Sequence, residues 1–161
     1  MKKILLSLLM LCAALSAWSQ TTYTTNTITL DYDDCDESYI TTNAETGIYV
    51  KAPKADNIAC WQVGNSNSLQ LVVPDGYVIT GVKINYLNKS YLEALGISSS
   101  SSINTCDNLA LNAESNIWEQ KGGAFSRITS IRFRSTEAPA YVTFVTITYH
   151  KHTFTHDEAV A

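Results

Sequence analysis

Five acidic side chains crowd into one short stretch of this chain: Asp31, Asp33, Asp34, Asp36 and Glu37. Hard cations take several carboxylate oxygens, so Asp31, Asp33 and Asp36 are the candidate ligands of a calcium ion. The stretch DYDDCDES carries Asp36 where an EF-hand loop needs its turn-forming glycine, so it is not that motif. The plainer reading is a solvated strand end and loop. Paired carboxylates also cleave glycosidic bonds when set about 5 or 9 Å apart across a cleft. Nothing in the spacing imposes such a separation.

Histidine and cysteine offer two further chemistries. His150, His152 and His156 are the three histidines of the chain. On a strand, His150 and His152 share one face, and with Asp157 or Glu158 they would suit zinc. An exposed polar terminus is the simpler account. Cys60 or Cys106 beside His150 would make a nucleophile pair. The chain has no G-x-S-x-G elbow, no H-E-x-x-H, no glycine-rich phosphate loop and no C-x-x-C. A small extracellular hydrolase, using the 31–37 carboxylates or a Cys–His pair, is therefore the enzymatic alternative.

Aromatic rings are the remaining handle, because an exposed ring stacks on the apolar face of a sugar or anchors a protein partner. Trp61, Trp118, Tyr23, Tyr39, Tyr91 and Tyr141 are more large rings than a small core needs. Trp61 alternates with Ala59 and Val63, which predicts a core position. Trp118 adjoins the loop-like Glu119–Gly123, and Tyr91 lies in the polar NKSYLE. These two are the predicted ligand-binding rings.

The elements that must position these groups follow a period of two. Ile28, Leu30 and Tyr32 alternate with polar neighbours, as do Leu69, Leu71 and Val73, then Val82, Ile84 and Tyr86. Ile131 and Phe133, and finally Val145, Ile147 and Tyr149, repeat the pattern. Each run has one apolar face, as a half-buried antiparallel strand has, and is rich in Thr, Val, Ile and Tyr. Turn residues separate the runs at Gly64–Asn67, Pro74–Gly76 and Lys121–Gly123, and Pro139 breaks the 135–140 linker. Pro74-Asp75-Gly76 predicts a hairpin between residues 69–73 and 77–86. Ser98–Ser102 reads as a loop, and Lys89–Leu95 as one short helix. Short strands at such spacing predict an all-β antiparallel sandwich, jelly-roll-like in its winding.

The first nineteen residues have a different composition. Lys2 and Lys3 precede the apolar Ile4–Leu15, and Ala17 and Ser19 suit a cleavage site. They read as a signal peptide, 1–19, cut before Gln20, with a single domain over 20–161. Leu11 is too large to precede a lipid-attached Cys12, so ordinary cleavage is expected. Removal takes the basic count from 11 to 9 against 15 acids. Such an acidic chain does not suit a nucleic-acid backbone or an anionic membrane surface. No later stretch is long enough and apolar enough to span a membrane. In an oxidising compartment two of Cys35, Cys60 and Cys106 would form a disulfide, contributing about 3–4 kcal/mol. Three buried thiols are the alternative.

Residues 68–86, SLQLVVPDGYVITGVKINY, and 116–150, NIWEQKGGAFSRITSIRFRSTEAPAYVTFVTITYH, carry a resemblance. Ile79, Thr80, Val82 and Tyr86 match a strand after a Pro/Gly turn. Trp118, Ile128, Thr129, Ile131, Phe133, Val142, Phe144, Ile147 and Tyr149 match the segments after it. Together they resemble a β-sandwich module of secreted and surface proteins in Bacteroides-like bacteria. The resemblance implies a bacterial cell envelope setting, alongside adhesion and glycan-handling proteins, without catalysis. It transfers no site residue, because the matched positions are packing ones. The expected function is that of a secreted, carbohydrate-binding or adhesive domain whose ligand is a glycan or an envelope or host surface protein. A structural or inhibitory protein docking through a strand edge is the third reading.

Overall fold

A computed structural model describes residues 23–121 and 127–153. The period-two runs are strands: β1 Asn26–Asp31, β5 Leu69–Val72, β6 Tyr77–Tyr86, β10 Ser130–Arg134 and β11 Ala140–Lys151. Six shorter ones join them: β2 Ile40–Thr42, β3 Tyr49–Lys51, β4 Trp61–Val63, β7 Thr105–Cys106, β8 Leu109–Asn112 and β9 Ile117–Gln120. Among the described residues they form two antiparallel sheets. One runs β1-β11-β6-β9-β8, with β4 also on β11, and the other runs β2-β3-β5-β10-β7. The fold is the all-β antiparallel sandwich that the alternation predicts.

The two apolar rows meet between the sheets. Val82, Ile84, Val145 and Ile147 come from one sheet, and Leu69, Leu71, Ile131 and Phe133 from the other, all buried. Burying each such side chain contributes roughly 1.5–3 kcal/mol, and this offsets the entropy of ordering the chain. At Gly81 a Cβ would stand 3.0 Å from Ile117 Cγ2. The glycine thus lets β9 lie close against β6.

The predicted hairpin is corrected. β5 pairs with β3 and β10 in one sheet, whereas β6 pairs with β11 and β9 in the other. Val73 still donates its N–H to Thr129 O, so the segment stays with β10 up to the proline. Gly76, at φ 86°, then turns the chain across the sandwich. A hairpin would set the two apolar rows side by side. The crossing sets them face to face, where each covers the other.

The single predicted helix is present as α1, Lys89–Ala94. Six residues do not hold a helix in water by themselves. Asn88 caps it by accepting from Ser90 N at 2.8 Å. Leu92 anchors it in a second, smaller apolar cluster with Ala55, Ile58, Cys60 and Tyr141. No helix among the described residues is long and apolar enough to cross a membrane. The expected leader, the cut before Gln20, Gly122-Gly123, His156, Asp157 and Glu158 lie outside the described residues.

Candidate functional site

The acidic run shapes backbone. Asp31 Oδ1 accepts from Asp33 N at 3.1 Å and caps the 3-10 turn Tyr32–Asp34. Asp36 Oδ1 accepts from Ser38 N at 2.8 Å and from Ile40 N at 3.0 Å, while Asp33 points to solvent. Among the described residues no group of three or more His, Cys, Asp or Glu is placed to hold a metal. The calcium set Asp31, Asp33 and Asp36 is therefore not assembled: two of the three carboxylates serve main-chain N–H groups.

The cysteines correct the disulfide expectation, since Cys35, Cys60 and Cys106 are all free. Cys60 is fully buried in the smaller cluster, and burial pushes its thiol up to about 11. Cys35 and Cys106 are half-buried against the main core, and burial raises both thiols. All three behave as small apolar side chains. The Cys–His pair is not formed either. Cys60 packs with Tyr141, and His150 lies nine residues further along β11, a distance of about 30 Å at strand rise. Cys106 belongs to the opposite sheet.

His150 and His152 do share a face, with ring centroids 6.0 Å apart. Yet His150 is 1% exposed, stacked on Tyr23 at 4.2 Å, so the expected exposed terminus is corrected at this residue. Burial first, then the neighbouring His152, lowers the His150 pKa below 6.5. The unfolded chain therefore binds this proton more readily than the folded one. The stability contributed by a neutral His150 is fully present above about pH 6.5 and is lost as pH falls toward the folded pKa. Urea unfolding of the parent and of His150→Gln across this range should show the gap between them narrowing toward acid. A gap constant with pH would refute the assignment.

Of the two predicted rings, Trp118 is in the core. It is 5% exposed and meets Phe133 of the other sheet edge-on, at 5.7 Å and 74°. Its place opposite Val82 in the register turns it inward, which corrects the expectation of a surface platform. Tyr91 is 53% exposed on α1. It lines none of the depressions described next, not even the one of about 310 Å³ between α1 and Ser100–Ser102.

The exposed ring that does border a depression is Tyr39, 37% exposed. It adopts φ 59°, the left-handed region, which costs a non-glycine residue about 1–2 kcal/mol. Two bonds hold it there. Tyr39 N donates to Asp36 O at 3.0 Å, and its carbonyl accepts from Nε1 of the fully buried Trp61 at 3.0 Å. Lys54 Nζ lies 6.0 Å from the ring centroid. Beside the ring, Ser38, Lys51, Asn67, Ser68 and Gln70 line a depression of about 290 Å³. Asn67 also borders a neighbouring one of about 380 Å³, with Gln62, Asn65 and Glu137. Asn67 is common to both, and its Oδ1 accepts from Gly64 N and closes the 64–67 turn.

A ring with carboxamides around it can stack on a sugar's C–H face and satisfy its hydroxyls, since each amide both donates and accepts. Nothing in the period-two pattern singles out Tyr39. The one local signal is its place after the Asp36 turn, three residues downstream. No protein-family model, curated protein or solved structure matches the chain.

Proposed function

We propose that the domain is a glycan-binding module of an exported protein, with Tyr39 as its stacking ring. The observation that carries this reading is the exposed Tyr39, fixed in a strained backbone by the buried Trp61 and opening onto one amide-lined depression, which shares Asn67 with a second. Strain of this kind clusters where a side chain must be held ready for a ligand. The resemblance to envelope modules and the leader-like residues 1–19 support the same setting. The pairing of β1 with β11 and of β5 with β10, with β5 and β6 in opposite sheets, supports the jelly-roll description.

The test is affinity electrophoresis against a panel of polysaccharides. Tyr39→Ala should weaken binding about tenfold or more, a loss near 1.4 kcal/mol, with an unchanged circular dichroism spectrum. Tyr91→Ala should leave binding as it is. Binding that survives in Tyr39→Ala, or is lost in Tyr91→Ala, refutes the site.

A further inference from the structure

The charge of the five-stranded sheet departs from that of the chain. The sequence has 15 acidic residues, yet β2, β3, β5, β7 and β10 contain none of them. They contain Lys51, Arg132 and Arg134. Arg134 is engaged by Asp107 at 3.3 Å. Lys51 and Arg132 are exposed and make no ion pair among the described residues.

Register places these two cations in one row. Lys51 lies opposite Gln70 on β5, and Gln70 lies opposite Arg132 on β10. Directly opposed residues point to the same side of a sheet. Here that is the outer side, because their neighbours Val50, Leu71 and Ile131 fill the core. Two strand spacings separate the cations by about 9–10 Å at the backbone. This is of the order of the distance between every second ring of an extended polysaccharide. Between them, Gln70 Nε2 donates to Ser130 Oγ at 3.0 Å, which orients the amide. Lys51 and Gln70 also line the Tyr39 depression, so the row runs on from the stacking ring.

We infer that the ligand is an acidic polysaccharide, whose carboxylate or sulfate groups are held by Lys51 and Arg132 across the outer face of the five-stranded sheet. This rests on the glycan reading and adds its chemical class. The long side chains adapt to the anion's position, while Gln70 holds the sugar between the cations and Tyr39 stacks on the one beyond Lys51. The attraction is between exposed charges, so salt weakens it.

Isothermal titration with four probes tests this: polygalacturonate, its methyl-esterified form, a sulfated galactan and its desulfated form. The protein variants are the parent, Lys51→Gln/Arg132→Gln, Tyr39→Ala and Lys83→Gln. Lys83 is an exposed cation on the other sheet. The parent should bind at least one acidic polymer tenfold or more tighter than its neutral form, and less tightly as salt rises. Which acidic polymer is bound tells carboxylate from sulfate. The double variant should lose the preference while keeping its circular dichroism spectrum, and Lys83→Gln should retain it. If acidic and neutral forms bind equally and through Tyr39, the glycan reading stands and this inference fails. If the folded parent binds none of the four, both fall.

Discussion

Trp118→Ala is expected to destabilise the domain by about 3–5 kcal/mol, a large part of the roughly 5–15 kcal/mol that a domain of this size holds. Trp118 belongs to β9 and Phe133 to β10, so their edge-to-face contact joins the two sheets across the core. Removing the indole leaves a cavity that strands on both sides are too constrained to fill. Urea unfolding measures the loss. Trp118→Phe keeps a ring against Phe133 and should recover much of it. A cost below about 1 kcal/mol for the alanine variant, outside the range for buried aromatics, would put the indole at the surface.

Trp61 should show a comparable effect with a second component. Its ring is fully buried, with Tyr32 edge-on at 5.5 Å and 85°, so Trp61→Ala should also cost about 3–5 kcal/mol. Trp61→Phe separates packing from hydrogen bonding. It retains most of the apolar volume but removes the Nε1 donor to Tyr39 O, at a cost of about 1–3 kcal/mol. With its carbonyl released, Tyr39 is free to leave the left-handed region. Trp61→Phe should then bind glycan more weakly than the parent even where both are fully folded. Equal affinity of the two folded proteins would show that the indole only packs.

Strand identity was legible because burial on one face writes itself into every second residue, as at Ile131 and Phe133 or at Val145 and Ile147. Partner choice was not. Alternation says which side of a strand is apolar, and it is the same whether the next strand lies beside it or across the core. This is why Leu69–Tyr86 read as a hairpin although β5 and β6 belong to different sheets. The place of Trp118 is hidden for a related reason: a polar, loop-like segment on one side does not decide the direction of the strand residue before it. The carboxylates at 31–37 drew notice by their number, but two of them serve local turns that no spacing rule announces. Of the two bonds that hold Tyr39, one comes from the indole N–H of a residue 22 positions away, and such a contact exists only once the chain has folded.

The antiparallel pairing of β1 with β11 aligns Asn26 with Tyr149. β1 thus waits for more than a hundred further residues before it acquires this neighbour. Contacts of such long sequence separation are closed late and make folding slow. A strand left waiting is a hazard if it is apolar, since its open edge invites association with other chains. Asn26–Asp31 is NTITLD, in which Leu30 is the one fully buried side chain. Its threonines keep the nascent segment compatible with water until the C-terminal strand arrives. Synthesis that stops short of residue 140 should therefore yield a chain that cannot close its six-stranded sheet, and that stays open to proteases until the last strand is made.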